Sequence, residues 1–253
     1  MATCRGMSKL IYLLWPREKT DPASLRKLLL DDCAPRLLAL GPEGLQMNIA
    51  DDLATTPSPS PNPGTPFVAQ VNAWLADAAH RQPYEELLRA AGFEIAGYQV
   101  DDWLYTEYGE NDHAPRRNWP DGQRSPGITA VTILKRPSRI PRDEWLRRWF
   151  GWQSPMSEWM QPRTRYSRNL VKDVLTPDAP NYDGIVEEGW PSDEAVTNKM
   201  TFFGARSRFE LVKNMLIMLR SVSRMLNLLK ITTVMTSEYF IKTPAEIRQR
   251  QAS

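Results

Sequence analysis

The chain has 253 residues, 42% hydrophobic and 25% charged, an ordinary balance for a globular protein with a sizeable core. Lys plus Arg total 32 and Asp plus Glu 30, and the net charge of +2 argues against nucleic-acid binding through a broad basic surface. Two cysteines, Cys4 and Cys33, and two histidines, His80 and His113, exclude a disulfide framework, a zinc site of several thiolates and much metal and haem chemistry.

Met1–Ser8 has no apolar run resembling a signal peptide, so a cytoplasmic protein with reduced thiols is expected. Lys9–Trp15 reads as a buried strand stopped by Pro16. Asp21-Pro22 sets an N-cap and a first-turn proline for a helix running towards Leu40, where Gly41-Pro42 ends it. Gly44–Asp52 reads as a strand. Thr55–Pro66, with five prolines, reads as a loop, and Phe67–Leu75 as a third strand. Ala78–Ala91 is a second helix and Gly92–Tyr108 a long fourth strand.

The polar stretch Gly109–Pro126 divides a first module, 1–108, from a second, 127–253. The same order then repeats. Gly127–Lys135 is a strand, Pro141 opens a helix, and Tyr166–Leu175 and Tyr182–Trp190 are strands. Helix follows from Ser192 to Leu229 with a break near Gly204, and Ile231–Ile241 is the last strand. Within the helical region Leu211, Met215, Leu219, Val222, Leu226 and Leu229 recur at helical steps, which predicts an amphipathic helix lying on a core rather than a membrane span, with a membrane-surface helix as the alternative because its polar face is basic. Each half therefore reads βαββαβ, a ferredoxin-like α+β module with two helices on one face of a four-stranded antiparallel sheet. Strand one is apolar at both parities, so both sheet faces need cover, and the two sheets are expected to pack together.

Three segments of the second half carry a resemblance: Thr129–Lys135 leading into Trp145-Leu146-Arg147-Arg148-Trp149, Tyr182-Asp183-Gly184-Ile185-Val186-Glu187, and Thr233-Val234-Met235-Thr236-Ser237-Glu238-Tyr239. On these the chain resembles the EthD family of dimeric α+β barrel proteins, with the first half a weaker copy. The resemblance implies two fused modules forming one such barrel. It also implies cofactor-independent chemistry on aromatic or polyketide-like compounds. The family's His-x-Pro after the first helix is missing, since the matching places read Cys33-Ala34-Pro35 and Gln153-Ser154-Pro155. His113-Ala114-Pro115 falls in the linker. Haem peroxidases that share this barrel hold iron through a late histidine, and no histidine follows position 113. No phosphate loop or dinucleotide fingerprint is present, so no cofactor and no metal site are expected.

Strand alternation puts Asp183, Ile185 and Glu187 on one face and Glu188 and Trp190 on the other. A carboxylate enclosed between covered faces would have its pKa raised and could act as a general acid or base. Against this stands a plain salt bridge to Arg163, Arg165 or Arg168. The catalytic candidates are Glu187, Asp183 and Tyr166. The expected pocket wall is Tyr12, Cys33, Trp145, Trp149, Gln153 and Trp190, although core packing also accounts for the tryptophans and a buried thiol for Cys33. The expected function is a cofactor-independent lyase or isomerase acting on a hydrophobic aromatic or polyketide-like molecule. The alternative is a non-catalytic small-molecule-binding or accessory protein, and a cofactor-free monooxygenase stands third. No nucleic-acid or membrane partner is expected, and homodimerisation is left open.

Overall fold

A computed structural model describes residues 7–59, 65–227 and 231–252. Cys4, the middle of the proline-rich loop and Leu229 lie outside the described residues. The first half runs β1 (Ser8–Pro16), α1 (Pro22–Lys27), a π-helical segment (Leu28–Cys33), α2 (Ala34–Ala39), β2 (Gly44–Ile49), β3 (Ala69–Leu75), α3 (Gln82–Ala90) and β4 (Phe93–Thr106). The second repeats it as β5 (Ile128–Leu134), α4 (Arg142–Arg148), a π-helical segment (Trp149–Gln153), α5 (Ser154–Met160), β6 (Arg165–Val174) and β7 (Gly184–Trp190). It continues with α6 (Asp193–Thr197), α7 (Lys199–Phe202), α8 (Arg208–Ser223) and β8 (Thr232–Lys242). A terminal helix, α9 (Ala245–Ala252), has no counterpart in the sequence reading.

The eight strands close in the order β1-β3-β2-β8-β5-β7-β6-β4. Each half thus contributes a ferredoxin-like sheet, β4-β1-β3-β2 and β8-β5-β7-β6. The halves meet through antiparallel β2·β8 and β4·β6 ladders, which leave no free strand edge. The two sheets therefore do more than face each other. They become one barrel, and its lumen, at eight strands, is narrow enough for side chains to fill. Ile11, Leu13, Tyr98, Val131, Ile133 and Ile185 form an apolar plug drawn from both halves. The opposite end is closed by Trp74, Tyr108, Phe240 and Ile247. Residues 109–126 carry no helix or named strand and are built into that end. Arg117 lies 4.7 Å over the Phe240 ring, and the Ser125 N–H donates to the Glu238 carbonyl at 2.8 Å.

The helices pack on the outside of the barrel. Leu25 and Leu29 are buried under β1 and β3, and Trp145 and Trp149 are buried in the second half. The π segments sit at corresponding places and both end just before a proline turn, at Pro35 and Pro155. A π bulge adds a residue to the turn and re-aims the following side chains, a device frequent at functional sites. The long helical region is corrected in two ways. Besides the expected break at Gly204, whose φ is +56°, it is broken at Asn198. The stripe assigned to the core instead faces outward at Met215 and Leu219.

Candidate functional site

Glu187 lies in the lumen, mid-height on β7, and is buried as alternation requires. It accepts hydrogen bonds from Asn72 (2.9 Å), Gln70 (3.0 Å), Asn169 (3.0 Å) and Gln46 (3.2 Å). Lys9 and Arg165 each stand 3.4 Å away. Burial by itself would raise the carboxyl pKa. The two cations, with the amide donors, overcome it and bring the value to about 2. The expectation of a raised pKa is thus reversed, because a barrel lumen lined by amides and cations solvates the carboxylate better than an apolar cavity would. The network continues through Arg165 to Glu107 (3.2 Å) and Glu238 (3.3 Å), and through Lys9 to Asp102 (3.2 Å).

Tyr166 is on the other side of the same wall, so these two catalytic candidates do not meet. Its hydroxyl meets Ser154 Oγ at 3.1 Å and the Trp149 indole N–H at 3.4 Å. Burial raises its pKa, and the phenol stays protonated. Around it lies a layer of polar and aromatic side chains between β6–β7 and the helices. Arg163 stacks 3.8 Å over the Tyr166 ring and pairs with Glu188 (2.7 Å) and Glu158 (2.9 Å). Arg168 is only 3% exposed and rests on Phe150 (4.1 Å), Tyr105 (4.6 Å) and Tyr166 (5.9 Å). Among the described residues its guanidinium has no carboxylate and no hydrogen-bond acceptor. Burial lowers its pKa. Trp103, its neighbour across the β4·β6 ladder, carries a second buried N–H without an acceptor.

Of the three arginines expected as possible partners for a strand carboxylate, Arg165 pairs with Glu187. Arg163 pairs with Glu188, and Arg168 pairs with nothing among the described residues. Arg168, Arg163, Glu188 and Tyr105 were missed as site residues. The available signal was parity: Tyr166, Arg168 and Leu170 share the face that meets Trp149, and an arginine in that stripe is drawn under the helices.

The remaining candidates are dispersed. Asp183 sits at the strand edge, accepting from the Arg136 backbone N–H at 2.8 Å. Tyr12 and Cys33 belong to the apolar layer of the first half. Burial pushes the Cys33 thiol up to about 11, which makes it a poor nucleophile. Among the described residues the buried Tyr12 hydroxyl has no partner, and burial raises its pKa. Trp145 donates to the Met225 carbonyl at 3.0 Å and serves the core. Trp149 lies so close to β7 that a Cβ on Gly184 would fall 2.7 Å from its ring, which gives the Asp-Gly pair a packing reason. Trp190 stacks on Phe202 away from this layer. Gln153 accepts from Ser221 at 2.5 Å, tying the π segment to α8.

Just outside that tie runs a groove of about 1060 Å³ between α4–α5 and α8, bordered by Trp152, Met156, Trp159 and Ile217. Glu187 does not line it, because the barrel wall intervenes. Among the described residues no group of three or more His, Cys, Asp or Glu could hold a metal. No helix there is long and apolar enough to cross a membrane.

No protein-family model matches the chain, and no curated protein does. Among solved structures, an anthrone oxidase-like protein is similar over 95% of this chain and 96% of its own, with a TM-score of 0.57 and 9% identity. A mutant chlorite dismutase from Candidatus Nitrospira defluvii in complex with cyanide matches over 99% and 97%, with a TM-score of 0.46 and 8% identity. The fold is that of the dimeric α+β barrels, here closed within one chain.

Proposed function

We propose that the chain acts without a cofactor on a planar, hydrophobic aromatic or polyketide-like molecule bearing an ionisable oxygen. The substrate would be held between the second sheet and its helices, as a lyase or isomerase would hold it. The observation that carries this reading is Arg168, a buried cation without an anion. Arg168 would bind the phenolate or enolate oxygen, and Tyr166, protonated, would donate to the same oxygen. Tyr105, Phe150 and Trp149 would wall the ring system. Glu188 faces Tyr166 across the β6·β7 ladder and would give up its ion pair with Arg163 to take a C–H proton next to the substrate carbonyl, the electron pair of that bond passing to the oxygen held by Arg168. The acid–base role thus falls on the carboxylate next to Glu187, on the opposite face. The name of the anthrone oxidase-like neighbour points to the same substrate class.

A second reading, a non-catalytic binding protein of the EthD type, is favoured by the engagement of both Glu188 and Glu158 with Arg163. Titration of hydroxylated anthrones and anthraquinones, followed by tryptophan quenching and by absorbance change, separates the two. Binding should weaken roughly tenfold or more in Arg168→Met, as expected on losing a charged hydrogen bond. Turnover should fall by roughly 10²-fold in Glu188→Gln. Binding without turnover selects the second reading. Binding unaffected by Arg168→Met removes the site from this layer.

A further inference from the structure

The helix α8 is inside out. Its barrel-ward side buries Asn214 and Ser221, while Phe209 (79% exposed), Val212, Leu216 (61%) and Leu219 form a stripe at i, i+3, i+7 and i+10 that faces away from the protein. Across the groove, facing Ile217, Arg220 and Arg224, Trp152 (62%) and Trp159 (70%) are exposed as well. Scattered exposed apolar residues need no explanation, but a continuous stripe on one helix face beside two exposed tryptophans marks a contact surface.

The charge around this face identifies what it contacts. Residues 206–224 contain Arg206, Arg208, Lys213, Arg220 and Arg224 against a single acid, Glu210. Glu210 is turned inward to the helix start, where it accepts from the Arg206 backbone N–H at 2.7 Å. Glu144, at the groove, is already taken by Arg147 and by Arg148 at 2.6 Å. Among the described residues Arg208, Lys213, Arg220 and Arg224 make no salt bridge. An apolar stripe flanked by unpaired cations, with tryptophans at its border, has the composition of a helix that lies in the headgroup region of an anionic bilayer. A second copy of the chain would suit it less well, because a two-fold contact sets the patch against itself and so sets cations against cations.

We propose that α8, with Trp152 and Trp159, docks the protein onto anionic membrane surfaces. The apolar stripe would enter the acyl boundary, and Lys213, Arg220 and Arg224 would meet lipid phosphates and carboxylates. This surface does not depend on Arg168 or on any turnover. It departs from the expectation of no membrane partner, which rested on a stripe that shares only Leu219 with this one and whose Val222 and Leu226 do pack on the core.

Co-sedimentation of the full chain with phosphatidylcholine vesicles, with and without phosphatidylserine, tests it. The wild type should bind the phosphatidylserine vesicles and be released by raised salt. The paired change Leu216→Glu with Leu219→Glu should abolish binding. These positions are exposed, so its circular dichroism and melting should match the wild type. Arg220→Glu with Arg224→Glu should weaken partitioning by roughly tenfold or more, since each basic residue near an anionic surface contributes substantially. Absence of binding to either vesicle overturns the proposal. So does a dimer in solution that the Leu216→Glu, Leu219→Glu change dissociates while vesicle binding is absent, because the face would then belong to a second copy.

Discussion

The two helix–sheet layers of this molecule stand on the same framework and hold opposite chemistry. In the β3 and β7 ladders, Trp74 pairs with Lys9 and Gly189 with Thr129, so Lys9 corresponds to Thr129 and Trp74 to Gly189. Carrying the register across β2 and β6 sets Met47 against Arg168, Leu45 against Tyr166 and Ala73 against Glu188. Counting back from the ends of the π segments sets Leu29 against Trp149 and Ala34 against Ser154. The first layer is thus an oil-like core. The second has replaced its members by an arginine, a phenol, a carboxylate and a hydroxyl in the same places. Burying a charge without a partner costs stability and is retained where it serves another purpose. The lumen between the layers shows the contrast within one barrel wall: its Arg165 is surrounded by carboxylates, while Arg168, three residues on and facing outward, has none among the described residues.

The largest effect should come from forcing the second chemistry on the first layer. Met47→Arg puts an uncompensated charge among Leu10, Leu45 and Val71 and should cost about 4 kcal/mol in denaturant unfolding, or prevent folding. Next comes the lumen. Glu187→Gln leaves Lys9 and Arg165 short of an anion and should cost about 3 kcal/mol. Because the folded pKa of Glu187, about 2, is depressed from 4.5, its stabilisation is complete above that ordinary value. It is lost as pH falls from about 4.5 towards 2, so acid titration of stability should be shallower in the variant over that window. Gly184→Ala should cost about 1–3 kcal/mol by pressing a methyl group into Trp149. At the corresponding position the first half carries Ala69, where the smaller Leu29 takes the place of the indole.

Much of this was legible in the sequence. The repeated element order, the strand apolar at both parities and the alternation across Glu187 follow from side-chain period alone, and the barrel realises them. Two things were not legible. The outward stripe of α8 has the same spacing as an inward one, and only the packing of Asn214 and Ser221 decides which way the helix faces. The pKa of Glu187 depends on Lys9, Gln46, Gln70 and Asn72, which come from the other half of the chain, and no local pattern brings them to it.

The central claim, that Arg168 is kept for a ligand and not for the fold, is tested most directly by equilibrium unfolding of Arg168→Met without any ligand. The variant places in the second layer the residue that the first layer already holds at that position. The account predicts a protein more stable than wild type by about 1 kcal/mol, since an unpaired buried charge has been exchanged for a side chain of similar volume. A variant less stable than wild type by a similar amount would show that the stacking of Arg168 on Phe150 and Tyr105 is structural, and would contradict the account.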